Sequence, residues 1–110
     1  TVSSALKSAV TGEDPINPTT SFVHPVYAAG VNSYPIVGYS WWLIYHEYDN
    51  AAGTTLGQVQ GMVAFMEWAL TEGQKSTYLY KGYSPVPAAA RTKAIAELKK
   101  VKFNGVSVWP

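Results

Sequence analysis

The residues Gly53, Thr54 and Thr55 come closest in this chain to an anion-binding pattern. They precede a strong helical pattern, and the free N–H groups and positive dipole end of a helix N-terminus attract anions. The two hydroxyls could donate hydrogen bonds to the same ion. The same residues also serve simply as a helix cap, and no lysine follows them as a Walker-type phosphate loop requires. The sequence leaves both alternatives open and favours the cap.

The side chains that enzymes and metal centres use are scattered. His24 and His46 are far apart without carboxylates at metal-ligand spacing, and the chain has no cysteine, so we predict no metal site. Ser40 comes nearest to a nucleophile elbow but lacks the second glycine of that motif. No spacing pairs the seven acids for acid–base work. We therefore predict neither an enzyme nor a cofactor.

Charge is distributed unevenly along the chain. Residues 1–72 hold six acids and one base, whereas residues 73–110 hold seven bases and one acid. A basic C-terminal third could bind anions, but a solvated helix face explains it as well and is favoured.

Aromatic residues and a lysine lie close together in this basic third: Tyr78, Tyr80, Lys81 and Tyr83. They could stack on single-stranded bases, but their spacing favours a core-facing pair beside a solvated lysine, so we predict no nucleic-acid partner.

The elements that must position these residues centre on an aromatic run, residues 36–45, which begins at Ile36 and ends at Tyr45. It carries no charge and is rich in β-branched and aromatic residues. This composition is typical of a strand with both faces covered. We therefore expect an α/β fold with a central strand flanked by helices. Because the chain offers no obvious neighbouring strand, we expect the run to pair with another segment or with a copy of itself.

Helical patterns lie on both sides of the run. A short one covers residues 2–10, and residues 13–32 predict an irregular connection. The strongest pattern begins at a capping threonine and ends at Gly73, and Phe65 and Trp68 widen its apolar stripe.

The remaining patterns follow that helix. One or two further turns are expected over residues 74–81, and a last helix runs from Ala88 to about Val101. Asn104-Gly105 predicts a turn before a short strand over residues 106–109.

Two sequence blocks together resemble a known family. The first is Tyr34-Pro35-Ile36-Val37-Gly38, which leads into the aromatic run. The second is residues 63–74, followed by Gly82-Tyr83-Ser84-Pro85-Val86-Pro87 and a lysine-rich terminal helix. In order and spacing they resemble the C-terminal third of PstS-type phosphate-binding proteins, the solute receptors of bacterial phosphate ABC importers.

This resemblance implies the C-terminal part of a type II periplasmic-binding-protein fold, in which two lobes close on phosphate. Residues 1–32 would form a helix and a crossing segment on the other lobe or at the hinge. Residues 33–110 would form a strand and three helices of the lobe that carries the N-terminus in the family. Tyr34, Pro35 and Ile36 would then lie at the hinge between the lobes.

The resemblance also limits what this chain can do by itself. The family's phosphate ligands lie in the earlier two-thirds of the receptor, so no ligand residue transfers to this sequence. It implies a scaffold and hinge segment that binds phosphate only with the missing N-terminal portion, an ABC permease as a further partner, and a periplasmic or extracellular location. The alternative is a structural module that self-associates through the strand from Ile36 to Tyr45.

Overall fold

A computed structural model describes Tyr34, Ile36 and residues 38–110. The predicted helix over residues 2–10, the connection after it and Pro35 lie outside these residues. The described part contains two α-helices, three short strands and a 3₁₀ turn. In chain order they are β1 (Glu47–Tyr48), α1 (Leu56–Leu70), the 3₁₀ turn (Glu72–Gln74), α2 (Ala88–Leu98), β2 (Lys102–Phe103) and β3 (Val106–Ser107).

Helix α1 begins where the sequence predicts, at a threonine cap. The side chain of Thr55 accepts a hydrogen bond from the Gln58 N–H, and the Gln58 side chain accepts one from the Thr55 N–H. This capping box satisfies donors that a helix N-terminus otherwise leaves free. Val59, Val63 and Met66 follow at spacings of four and three and are buried, which gives the helix one covered side.

The end of α1 differs from the predicted glycine cap. The helix ends at Leu70, and Gly73 lies within the 3₁₀ turn rather than in a left-handed cap. A Cβ atom at Gly73 would lie 3.2 Å from the Trp68 ring and 3.3 Å from the Trp68 carbonyl oxygen. Glycine therefore suits this position because the chain passes close to Trp68.

The strands form a mixed three-stranded sheet in the order β1-β2-β3. Strand β1 pairs in parallel with β2, and β2 pairs antiparallel with β3. The predicted turn joins β2 and β3, because Asn104 and Gly105 have φ angles of 49° and 78°. Two successive positive φ angles are typical of a type I′ hairpin turn, which confirms the Asn-Gly prediction.

The core lies between the two helices and the sheet. Parallel pairing of β1 with β2 requires a long crossover, and both helices lie within it. The buried cluster combines residues from α1, the end of α2, strand β2 and the positions just before β2 and just after β3: Val59, Val63, Met66, Leu98, Val101, Phe103 and Val108. Among the described residues, no helix is long and apolar enough to cross a membrane.

The aromatic run does not form the predicted central strand. Its described residues, Ile36 and 38–45, carry no strand, and the nearest one is the two-residue β1 that follows them. Leu43 is 88% exposed, whereas Ile44 packs against the core. A strand requires a neighbouring backbone to hydrogen-bond, and the described part of the chain supplies none beside the run. The mixed α/β class is confirmed, but a covered central strand is not.

The prediction of one or two helical turns over residues 74–81 is met only in part. After the 3₁₀ turn, the N–H groups of Tyr78 and Leu79 donate to the Lys75 carbonyl oxygen and close a single turn. The expectation that a pair of the nearby tyrosines faces the core is wrong, because Tyr78, Tyr80 and Tyr83 are all exposed. Helix α2 begins at Ala88 as predicted but ends at Leu98, a turn earlier than expected.

Candidate functional site

The predicted anion site at the start of α1 acts in this structure as a cap. The Thr55 Oγ1 atom accepts from the Gln58 N–H at 3.3 Å, and the Thr55 N–H donates to Gln58 Oε1 at 2.9 Å. The Gly53 N–H donates to the Asn50 carbonyl oxygen at 3.0 Å. These groups, which an anion would recruit, thus already have partners within the chain. Anion binding by Gly53, Thr54 and Thr55 stays a prediction.

His46 is partnered by a carboxylate. Its Nε2 atom lies 3.1 Å from Glu97 Oε2, and Glu97 also contacts the Lys100 ammonium. This contact joins the residue before β1 to the end of α2. Among the residues that the structure describes, no three histidine or acidic side chains lie close enough to hold a metal ion. His24 lies outside them.

The basic C-terminal third forms contacts within the molecule. Lys75 pairs with Glu72, Lys102 lies 3.9 Å from Glu47, and the Lys99 ammonium lies 5.3 Å from the centre of the Trp109 ring. These contacts agree with a solvated face of paired charges. On α2, the Arg91 Nε atom is buried and has no hydrogen-bond partner within the described ranges.

The structure also reveals an aromatic face that the sequence analysis did not place. It combines side chains from the aromatic run, α1 and the turns after α1: Trp41, Trp42, Leu43, Phe65, Trp68 and Tyr78. Ring centroids are 6.1 Å apart for Trp42 and Phe65, 6.3 Å for Phe65 and Trp68, and 5.3 Å for Trp68 and Tyr78. All six side chains are exposed to a substantial degree. The rings therefore form a continuous apolar row on the surface.

An open groove of about 490 Å³ lies at one end of this face. The run lines it with Trp41, Trp42 and Leu43, and α1 lines it with Met62, Phe65 and Met66. These side chains include no acid, base or nucleophile, so the groove can offer apolar contact but no catalysis. In the sequence, the signal for such a surface was the uncharged, aromatic composition of the run.

The predicted hinge residues are only partly described. Tyr34 and Ile36 are exposed, and Pro35 lies outside the described residues. Exposure is compatible with a crossing segment, but it does not distinguish a hinge from any surface loop. The hinge therefore stays a prediction.

Comparison with known proteins gives one curated relative. The chain is 34% identical over 108 residues to the phosphate-binding protein PstS of Methanocaldococcus jannaschii. The match covers 94% of this chain but only 25% of the relative, so the chain spans about a quarter of the relative's length. No family model matches. No solved structure matches. Nearly the whole of this chain is thus similar to part of a PstS phosphate-binding protein, which confirms the resemblance that its motifs predict.

Proposed function

We propose that this chain is a scaffold and hinge segment of a PstS-like phosphate receptor. The observation that carries the proposal is the similarity to PstS over 94% of the chain, which is matched to a quarter of that protein. A segment of this kind contributes packing surfaces and a connection between lobes, and other parts of the receptor hold the ligand. Tyr34, Pro35 and Ile36 would form the hinge.

The described residues support a scaffold role in preference to a ligand-binding one. The strongest anion candidates, Gly53 and Thr55, are engaged in turn and cap hydrogen bonds. Tight anion binding needs several donors or cations directed at one point. We therefore infer that inorganic phosphate binds only when the rest of the receptor is present. An ABC permease and a cell-envelope location, periplasmic or extracellular, belong to the same proposal.

Calorimetry with inorganic phosphate tests this function in two arms. The chain alone should show no site in the micromolar range, and tight binding there would overturn the scaffold role. A chimera in which this chain replaces the matched quarter of the M. jannaschii protein should bind phosphate. If the chimera folds by circular dichroism and fails to bind, the receptor proposal is wrong.

A second candidate function is a structural module that self-associates. The aromatic face favours it, because exposed apolar patches of this kind are typical of protein interaction surfaces. Sedimentation separates the two candidates. Assembly of the chain in the absence of phosphate and of any other protein supports the second, and a monomer at every concentration opposes it.

A further inference from the structure

We propose that the aromatic face is the surface on which the rest of the receptor packs, so that Leu43 and Phe65 become buried in the whole protein. The inference rests on the proposed function, because the partner is the three-quarters of a PstS-like receptor that this chain does not match. The occupant of the face is therefore polypeptide of the same receptor, which contacts it through apolar side chains.

The balance between buried and exposed apolar residues is unusual in the described part of the chain. Eight hydrophobic residues are buried there, whereas thirteen large hydrophobic residues are exposed. Single exposed apolar residues are ordinary on a protein surface, but connected ones mark a contact surface. Much of the apolar material of the described residues is thus placed as if a covering layer were still to be added.

The exposed apolar surface is continuous and longer than the aromatic face alone. Ring contacts lead without a break from Trp42 on the run to Tyr78 after α1. Exposed apolar side chains also lie at both ends of the run, at Ile36 and at Tyr45. A partner that covers this surface has to extend along the run from its predicted hinge end to β1.

The sheet beside the run is also smaller than a usual sheet. Its three strands are two residues long each, whereas sheets of compact domains usually have about four to six strands of five or six residues. The run has the composition of a covered strand, yet its described residues form none. A partner that brings backbone beside the run as well as apolar cover would meet both needs.

These requirements select the rest of the receptor over a second copy. In the relative, the quarter that corresponds to this chain belongs to one polypeptide with the other three-quarters. Segments of one polypeptide meet at effective concentrations in the millimolar range. A second copy would add apolar area, but its described strands are as short as those of the first, so they offer the run only a two-residue edge.

The chimera that carries this chain in place of the matched quarter of the M. jannaschii protein allows one substitution to be compared in two settings. Leu43→Glu should leave the guanidinium unfolding midpoint of the chain alone unchanged, because Leu43 is 88% exposed there. In the chimera the same carboxylate becomes buried without a partner and should lower the midpoint by about 0.5 M or more. Phe65→Glu should lower the midpoint of the chimera by a similar amount.

Ala96→Glu is the matched control. Ala96 is exposed on α2, which contributes no residue to the aromatic face, so the added carboxylate should leave both midpoints unchanged. If Ala96→Glu lowers the midpoint of the chimera as much as Leu43→Glu does, the effect is not specific to the face and the inference is wrong.

Phosphate binding by the original chimera is measured separately, so that the inference and the proposed function can fail independently. Face variants that are as stable as the original chimera overturn the inference, even if phosphate binds. A folded chimera that is destabilised by Leu43→Glu but binds no phosphate keeps the covered face and rejects the receptor function. A chimera that does not fold rejects both. If Leu43→Glu is neutral in the chimera but disperses an assembly of the chain alone, a second copy covers the face instead.

Discussion

The aliphatic core and the aromatic run are both strongly apolar, yet only the core is buried. Val63, Leu98 and Val101 are at most 2% exposed, whereas Leu43 is 88% exposed. On α1 the apolar positions recur at helical spacing and share one covered side. In the run, apolar residues occupy nearly every position, so no local conformation buries them all. Spacing, more than the amount of apolar surface, decides what this chain can bury by itself.

The largest expected effect tests that contrast directly. Leu98→Ala should lower the free energy of unfolding by about 2–5 kcal/mol, because it removes buried contacts and leaves a cavity. Leu43→Ala should change it by less than about 0.5 kcal/mol at low protein concentration, since the side chain is exposed. Urea unfolding followed by circular dichroism measures both values. Equal losses would show that the run is packed in solution as tightly as the core.

The next largest loss of stability is expected from removing the hydrogen-bonded side chain of Gln74. The Gln74 amide donates from Nε2 to the Ala69 carbonyl oxygen at 2.7 Å, and its Oε1 accepts from the Val86 N–H at 2.7 Å. It thereby ties the segment before α2 to the end of α1. Gln74→Ala leaves both partners unsatisfied and should cost about 1–3 kcal/mol in urea unfolding. Gln60→Ala, at an exposed position on α1, is the control, and equal effects would contradict the bridging role.

The cap of α1 should have a smaller effect. Thr55→Ala removes the hydroxyl that accepts the Gln58 N–H and should cost about 1 kcal/mol in urea unfolding. Thr55→Ser keeps the hydroxyl and should lie close to the original chain. If both variants lose the same stability, the threonine methyl group and not the capping hydrogen bond matters here.

The smallest effect concerns Tyr39 in the aromatic run. Burial raises the pKa of Tyr39 above its ordinary value of 10.0, because the partly covered phenolate is less well solvated. A pKa raised by folding favours the protonated folded form. The contribution of Tyr39 to stability is therefore complete below the unfolded pKa and is lost as pH rises through the folded pKa. An absorbance titration of the original chain minus that of Tyr39→Phe should show this late ionisation; a normal midpoint would show that Tyr39 is fully solvated.

The sequence predicted best where local chemistry decides the structure. A threonine caps the start of α1 as predicted, and Asn104-Gly105 forms the predicted turn between β2 and β3. Both features depend only on residues a few positions apart, so the local sequence contains the information that forms them.

Prediction failed where the outcome depends on a partner elsewhere. The composition of the aromatic run predicts a covered strand, but a strand also requires adjacent backbone. Helical spacing likewise placed Phe65 and Trp68 beside the covered stripe of α1, whereas both are exposed on the aromatic face. The similarity to PstS was accessible through motif order, because order survives even where single motifs are weak.

The parallel pairing of β1 with β2 has a consequence for how the protein is made. Glu47 pairs with Lys102 and Tyr48 pairs with Phe103. The two paired strands are therefore separated in the chain by both helices. Contacts between such distant residues form late and slow folding. A chain emerging from the ribosome can build α1 early, but it cannot complete this core until Lys102 and Phe103 of β2 have also emerged. Until then, its nascent apolar surfaces depend on chaperones or on neighbouring polypeptide for protection.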